Sequence, residues 1–478
     1  MTHRPNILLI TTDTQRWDTL RCMGAPHAIS PNLDHLAGEG VLFEQAHSSC
    51  PVCMPTRCSL MTGVHTHVHG CIENGFDRLY HLPVITDFLK EAGYHTAMVG
   101  KSHFGEVPET FDVQRLTLGE KRADVDDEYA RFVRDRGYPR STNHPNPVPE
   151  DLFMDAYLAT TAIEEMRSAL ESGAEPFFVF CSLLSPHGPI DPPGRWAELY
   201  DDRELPPVNC QEGEVAHHPA MLQRLLDLEH KAITDWEALD RKRRLYYGLA
   251  SYCDHQIGRL LEFLDEAGIR EETLVIFTSD HGTTLGDHGF DNKHTWYDSS
   301  WHVPLILSQP GTLPSGARRG FGIWNDLATT ILAAAGTSCE TMQGYDLYTP
   351  LVQDEPSPRY FAAAVLYKSM ALVTRRWKLE YYLEEQRGRL FDRANDPDEQ
   401  VDLFDDPRHQ DLRNALLRGL LAWYADGADL RGLVDRSHRG GPVARRAVAY
   451  TKTLKGLDSE ERLNRLCQEL DGATGPSA

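Results

Sequence analysis

Three cysteines stand close together around a proline and an arginine in the stretch CPVCMPTRCSLMTG, at residues 50–63. Thiols at this spacing can ligate a metal ion or cluster, form a redox pair, or include one cysteine that is chemically converted. A zinc site usually combines two closely spaced ligand pairs, and Cys58 and Cys71 do not make a second pair. A redox pair at Cys50 and Cys53 belongs at a helix start in a thioredoxin-like unit, which the surrounding sequence does not indicate. Conversion of one cysteine is the third interpretation, and the spacing alone leaves all three open.

Short apolar runs along most of the chain predict the elements that position these residues. Their continuous apolarity is typical of strands buried on both faces, as in a largely parallel sheet flanked by helices. The runs cover residues 6–12, 95–100, 176–184, 273–280 and 303–311. Helices are predicted at 31–38, from a Ser cap followed by Pro, and at 240–268, from a single apolar stripe. The sequence therefore predicts an α/β fold.

The character of the sequence changes towards the C-terminus. From residue 359 on, several short β-rich segments and a polar helix near 407–424 predict a small antiparallel sheet with helices. The length of 478 residues fits one large domain with a smaller one attached. We therefore divide the chain into an α/β domain at 1–355 and a C-terminal α+β domain at 356–478.

Composition limits the partners that the protein can have. Asp and Glu outnumber Lys and Arg by 71 to 48, which gives a formal net charge of −23. This charge disfavours nucleic-acid binding, which needs a basic face, and any anion site must be locally positive. The apolar runs are too short to span a membrane, and the N-terminus lacks the features of a signal peptide. We expect a cytoplasmic protein whose ten cysteines are mostly free thiols.

The segment from Cys53 to Gly63 resembles the signature of the sulfatase family, Cys-x-Pro-Ser-Arg followed by Leu-x-Thr-Gly, with Thr56 in place of Ser. Other motifs of that family stand in the expected order. They are LLITTD ending at Asp13, GKSHFG at 100–105, SPHGP at 185–189, TSDHG at 278–282 and NKHTWYDSSWHVPLIL at 292–307. The resemblance extends from residue 5 to 425. It implies an alkaline-phosphatase-like α/β fold and hydrolysis of sulfate esters.

By this resemblance, Cys53 is oxidised to formylglycine by a formylglycine-generating enzyme, and the hydrate of that aldehyde is the nucleophile. The resemblance also implies one divalent metal ion, held at the carboxyl ends of strands by Asp13, Cys53, Asp280 and His281. The resemblance implies Ca²⁺. Oxygen-rich ligation by itself favours Ca²⁺ or Mg²⁺, and the imidazole of His281 makes Mn²⁺ or Zn²⁺ alternatives. The other interpretation of Asp13 is a solvated loop acid or a turn-forming residue that binds no metal.

The catalytic residues implied by the resemblance are Cys53, Arg57, Lys101, His103, His187 and Lys293. Lys101 and Lys293 would contact the anion. His187 and Lys293 would serve the leaving oxygen, and His103 would assist the formylglycine hydroxyl. Arg57 lies one helical turn after Cys53 and can hydrogen-bond the hydrate if a helix begins there. Taken singly, each lysine and histidine is a common surface or core residue.

The chain departs from the family at Thr14, because many sulfatases carry a second metal-binding acid after the first aspartate. One carboxylate fewer weakens an oxygen cage for Ca²⁺. Two other functions remain compatible with the sequence. The same fold can hydrolyse phosphonate monoesters or phosphodiesters, or the protein can be a non-catalytic binding protein in which Cys53 stays a thiol. The expected partner is a small anionic ester, with no nucleic acid and no membrane.

Overall fold

A large sheet forms the centre of the computed structural model, which describes residues 4–78, 82–117, 126–140, 145–174, 176–227, 233, 235–437 and 459–472. Its eight strands are, in chain order, β1 (Asn6–Asp13), β2 (Val41–His47), β3 (His95–Lys101), β4 (Val113–Thr117), β5 (Phe177–Pro186), β6 (Thr273–Ser279), β7 (Leu305–Ser308) and β8 (Ala317–Ile323). Across the sheet they run in the order β4-β3-β5-β1-β6-β7-β2-β8. The strongly apolar strands β5, β1 and β6 therefore occupy the middle.

Neighbouring strands of this sheet are parallel, except that β7 runs antiparallel to both β6 and β2. The predicted, largely parallel α/β fold is confirmed. The predicted strand at 303–311 is shorter than expected, Leu305–Ser308, because Pro304 and Pro310 flank it and cannot donate to a ladder. The apolar pattern did not predict β2, β4 or β8. The edge strands β4 and β8 carry exposed polar side chains and so lack a continuous apolar run.

Helices cover the sheet and the C-terminal part. They are α1 (Pro31–Glu39), α2 (Cys53–Thr62), α3 (Thr66–His69), α4 (Ile85–Glu91), α5 (Glu128–Arg134), α6 (Met154–Ser172), α7 (Ala220–Leu225), α8 (Trp236–Glu266), α9 (Asp298–Trp301), α10 (Trp324–Ala334), α11 (Tyr348–Val352), α12 (Gln410–Ser437) and α13 (Ser459–Gly472). The helix predicted at 31–38 is α1. The helix predicted at 240–268 is α8, which begins four residues earlier because Asp235 caps it by accepting from the Ala238 N–H.

Both faces of the large sheet are buried. On β1, Ile7 and Leu9 lie in one apolar cluster with side chains from α2, α4 and α10. The alternate residues Leu8 and Ile10 lie in a second cluster with α1, α6 and α8. Because side chains alternate between the two faces of a strand, the central run of β1, residues 7–10, is apolar at every position. None of the described helices has the length and apolar character needed to cross a membrane.

The C-terminal part contains a second sheet, as predicted. Its strands β9 (Ala362–Leu366), β10 (Ser369–Val373), β11 (Trp377–Tyr382) and β12 (Arg387–Asp392) form an antiparallel meander in the order β12-β11-β10-β9. Leu416, Leu420 and Trp423 of α12 share an apolar cluster with this sheet. The predicted polar helix near 407–424 is α12. The division of the chain at 355/356 and the cytoplasmic location stay predictions.

Buried charges connect the small sheet to the segment that precedes β7. The Lys378 side chain on β11 is fully buried and pairs with Asp298 at 2.9 Å and with Glu399. Arg393 donates to the other oxygen of Asp298 at 2.7 Å. Asp298 is the first residue of α9, five positions after Lys293. The small sheet thus anchors the segment that carries one of the candidate catalytic lysines.

Replacing Lys378 with methionine is expected to destabilise the protein strongly. The substitution leaves Asp298 and Glu399 without their shared cation in a buried position, and breaking a buried pair in this way costs about 3–5 kcal/mol. Urea unfolding, followed by circular dichroism, measures the decrease in the free energy of unfolding. Lys368→Met is the control, because Lys368 pairs with Glu384 at the surface and is 66% exposed. Equal small effects of both substitutions would show that the buried pair does not anchor the segment.

Candidate active site

Three parallel strands of the large sheet, β3, β1 and β6, deliver charged residues to one edge of the sheet. Asp13 is the last residue of β1, Lys101 is the last residue of β3, and Asp280 follows directly after β6. All three side chains are buried, with residue exposures of 0–2%. The carboxyl ends of parallel strands meet at one edge, where sites of α/β proteins assemble. The Lys101 ammonium accordingly contacts a carboxylate oxygen of Asp13.

Cys53 begins helix α2 at the same edge. Its Sγ atom lies 2.8 Å from Lys293 Nζ, 3.1 Å from His281 Nε2 and 3.8 Å from Asp13 Oδ1. The residue is 1% exposed. The thiol occupies the place that the oxygens of a formylglycine side chain would take, so any group formed from Cys53 faces the carboxylates, the imidazole and the ammonium together.

Arg57 lies one turn further along α2 and is completely buried. Its Nε donates to Asp280 Oδ2 at 2.9 Å, and its Nη2 lies 3.6 Å from Asp13 Oδ2. Its Nη1 donates to the Ser182 hydroxyl at 2.8 Å. The guanidinium therefore bridges the two carboxylates from behind. The hydrogen bond predicted from Arg57 to the group derived from Cys53 stays a prediction.

Asp13, Cys53, Asp280 and His281 offer ligand atoms that all lie within 4.8 Å of one another. The His281 Nδ1 pairs with the carbonyl oxygen of Gly282 at 2.8 Å. With the Nδ1 proton donated to that carbonyl, the Nε2 lone pair faces the other three groups, which is the tautomer that a metal ligand needs. Two carboxylates and one neutral imidazole fit a divalent cation. In the described part of the chain, this is the only such group, and it includes none of the other cysteines.

Electrostatics at Cys53 favour negative charge. Burial opposes ionisation of the Cys53 thiol, but the ammonium groups of Lys101 and Lys293 favour it, and the pKa of the thiol lies well below the usual value. Burial likewise opposes the charged form of Lys293, yet Cys53 and Asp13 raise the pKa of its ammonium. The site is therefore locally positive in a protein whose net charge is −23. A local positive charge is what an anion site needs in a protein of negative net charge.

The two remaining predicted residues lie nearer to solvent. His103 is half-buried, and it is among the groups that lower the pKa of the Cys53 thiol. His187 is also half-buried, and its Nδ1 pairs with the carbonyl oxygen of Gly188 at 2.7 Å. It acts on Asp13 electrostatically, because it is among the groups that lower the pKa of that carboxyl. His187 thus borders the cluster, whereas the other predicted residues form it.

Three residues that the motifs did not single out support the cluster. The Ser182 hydroxyl accepts a hydrogen bond from Arg57. Ser182 lies inside the predicted strand 176–184, and a hydroxyl in this otherwise apolar run is the feature that could have marked it. Asn74 accepts from the Met54 N–H at 3.1 Å and so caps the start of α2 beside Cys53. Tyr246, in the middle of α8, donates to the Thr14 carbonyl oxygen at 2.7 Å. No sequence pattern marks Asn74 or Tyr246, because long-range folding creates both contacts.

Family comparisons agree with this geometry. The sequence model of the sulfatase family matches residues 5–337. A second one, described as N-sulphoglucosamine sulphohydrolase, C-terminal, matches residues 286–425. Both matches include Lys293 and α9, which agrees with the packing of the small sheet against that segment.

Among curated proteins, the chain is 29% identical to an arylsulfatase of Clostridium perfringens, over 89% of this chain and 97% of that protein. It is 28% identical to a choline-sulfatase of Rhizobium meliloti, over 85% of this chain and 84% of that protein. Among solved structures, the phosphonate monoester hydrolase of Agrobacterium radiobacter superposes with a TM-score of 0.80 at 24% identity, over 89% of this chain and 96% of that chain. That likeness concerns the fold. The chain belongs to the sulfatase family, as the order of its motifs predicted.

Proposed function

We propose that the protein hydrolyses sulfate esters through a formylglycine made from Cys53 and one divalent metal ion. The observation that carries this proposal is the position of Cys53. Its Sγ lies within hydrogen-bonding distance of Lys293 and His281 and beside Asp13, at the start of a buried helix. A structural cysteine has no need of these neighbours. A binding protein that kept a plain thiol there would not need the cations that favour negative charge at this point.

Formylglycine and a divalent metal ion would each supply one part of the chemistry. The formylglycine hydrate would supply one hydroxyl for attack on sulfur and a second that later expels sulfate. A divalent metal held by Asp13, Asp280, His281 and residue 53 would act as a Lewis acid on the ester oxygens. Ca²⁺ remains our first expectation from the family. The imidazole donor and the single acid at the end of β1 also suit Mn²⁺.

The residues of the chain bind and orient the ester. Lys101 and Lys293 reach the centre of the cluster from β3 and from the segment before α9, so that their ammonium groups can hold the nonbridging oxygens. Arg57 holds Asp13 and Asp280 in place and adds positive charge from behind. Three fixed cations against two carboxylates leave the protein part of the site positive before any metal binds. The site therefore attracts an anionic tetrahedral ester, and a divalent metal ion would strengthen this attraction.

The leaving oxygen needs a proton as its bond to sulfur breaks. His187 borders the cluster on the side nearer to solvent, where the alcohol part of a substrate must extend. Its Nδ1 is engaged by the Gly188 carbonyl, which leaves Nε2 to exchange a proton. Lys293 is the second donor that can reach this oxygen. We propose that these two residues serve the leaving group.

The relatives support sulfate as the substrate, since two of them are named arylsulfatase and choline-sulfatase. The Agrobacterium enzyme shares the fold, so phosphonate monoesters and phosphodiesters are the alternative substrate class. A diester carries a second substituent where a sulfate has a bare oxygen. Lys101 and Lys293 are placed to hold bare oxygens, and this favours sulfate.

We expect p-nitrophenyl sulfate to be hydrolysed with higher kcat/KM than a p-nitrophenyl phosphodiester or phosphonate monoester. Because all three substrates have the same leaving group, differences in kcat/KM depend on the group that is transferred. The assay uses metal-loaded protein, coexpressed with a formylglycine-generating enzyme and checked for the aldehyde by mass spectrometry. Cys53→Ala protein made in the same way reports any contaminating hydrolase. A preference for the phosphorus esters above about tenfold, equal to about 1.4 kcal/mol, would replace sulfate by phosphorus chemistry.

A further inference from the structure

Thr14 lies between the two carboxylates of the candidate metal site, in a backbone conformation that its side chain disfavours. Its φ is +66°, in the left-handed region that β-branched residues rarely adopt. Nine residues other than glycine have positive φ in the described part of the chain, and Thr14 is the only β-branched one among them. Strain of this kind is therefore stored directly beside Asp13.

Three contacts hold Thr14 in this conformation. Its backbone N–H donates to Asp280 Oδ1 at 2.9 Å, and its hydroxyl donates to Asp13 Oδ1 at 2.7 Å. Its carbonyl oxygen accepts from the Tyr246 hydroxyl at 2.7 Å. The same hydroxyl accepts from the Arg16 N–H at 2.9 Å, so the buried phenol spans the turn that follows β1. A strained residue persists only where its surroundings fix it from several sides.

We propose that Thr14 is a positioning residue that orients both metal carboxylates, and that the Tyr246 phenol keeps it in place. The left-handed turn directs two donors of one residue at two different carboxylates. Each bond restricts the rotation of one carboxylate, in the way that hydrogen-bond partners of metal ligands fix ligand geometry. The inference rests on the proposed function, because it concerns the metal that this function requires.

Titration of the metal-free protein with Mn²⁺ by calorimetry tests the proposal. Thr14→Val keeps the branched shape and the N–H but removes the hydroxyl, whereas Thr14→Ser keeps the hydroxyl. We expect Thr14→Val to bind Mn²⁺ about 10–100-fold more weakly and Thr14→Ser to bind it as the unchanged protein does. The Tyr246 hydroxyl contacts neither carboxylate, but it holds the Thr14 carbonyl oxygen. We therefore expect Tyr246→Phe to bind Mn²⁺ more weakly than the unchanged protein does. All proteins are prepared with equal formylglycine content, measured by mass spectrometry.

Thermal unfolding of the metal-free variants separates positioning from general stability. Thr14→Gly removes the hydroxyl and also relieves the strain, because glycine adopts positive φ readily. We expect it to bind Mn²⁺ more weakly while its metal-free form unfolds at no lower temperature than the unchanged protein. Undiminished Mn²⁺ affinity in Thr14→Val and Tyr246→Phe would overturn this inference alone. Failure of the unchanged protein to bind Mn²⁺, Ca²⁺, Mg²⁺ or Zn²⁺ would overturn the proposed metal site itself.

Discussion

Replacing Cys53 with alanine is expected to lower kcat for a sulfate ester by at least about 10⁴-fold, the scale of loss seen when a catalytic nucleophile is removed. The physical reason is that Cys53 supplies the nucleophile at the point where Lys293, His281 and Asp13 converge. Binding of sulfate by the variant, followed by calorimetry, should persist, because the cations around the site remain. The loss should therefore fall on kcat.

Cys58→Ala is the matched control for this prediction. Cys58 lies in the same helix and is equally buried, but it is directed at the Phe104 carbonyl oxygen, 3.7 Å away. We expect the control to keep its turnover and its aldehyde at residue 53. Mass spectrometry with an aldehyde-reactive probe should find the modification at Cys53 and at none of the other nine cysteines. Substantial turnover by Cys53→Ala, or an unmodified Cys53 in fully active protein, would contradict the mechanism.

Replacing Lys293 with methionine is expected to lower kcat by about 10²–10³-fold, the usual cost of removing one donor that stabilises charge in the transition state. The loss should depend on the leaving group, because Lys293 is placed to serve both the anion and the leaving oxygen. A phenyl sulfate needs more help in departure than a p-nitrophenyl sulfate. We therefore expect the larger loss with the phenyl ester, measured from kcat for a series of substituted phenyl sulfates.

Lys242→Met is the control for charge alone. Lys242 pairs with Asp291 at 2.8 Å, two residues before Lys293, and its side chain is 36% exposed. Removing it changes the net charge by the same amount without removing a donor from the cluster. A Lys293→Met variant with equal losses for all leaving groups would limit Lys293 to holding the anion and leave His187 as the proton donor.

The sequence predicted the parts of the site that depend on strand ends and short motifs. Asp13 and Asp280 follow continuous apolar runs, so their meeting at one sheet edge follows from a parallel sheet. Arg57 follows Cys53 by one helical turn, and α2 begins where that spacing requires. The resemblance named Lys101 and Lys293, and the structure brings both to the cluster.

The sequence could not predict contacts that depend on the exact path of the chain. In the sequence, Thr14 was notable only because many sulfatases have an acid at this position. Its left-handed backbone and its two donated hydrogen bonds depend on the turn after β1, which the sequence does not show. Tyr246 lies in the middle of a helix whose apolar stripe explains it equally well as a packing residue. The edge strands β4 and β8 escaped prediction because their exposed side chains need not be apolar.

The buried pairing of Lys378 with Asp298 also constrains how this protein can be recombined with its relatives. Lys378 belongs to the small sheet, whereas Asp298 belongs to the segment before β7, so a crossover between them separates the two charges. A chimera joined between 302 and 362 would pack the small sheet of another protein against Asp298. A sheet without cations at the positions of Lys378 and Arg393 would leave this buried carboxylate unpaired. Crossovers upstream of 286 move Lys293, α9 and the small sheet as one unit. Chimeras that carry the longer segment should therefore keep this buried pairing and fold more stably than chimeras joined between 302 and 362.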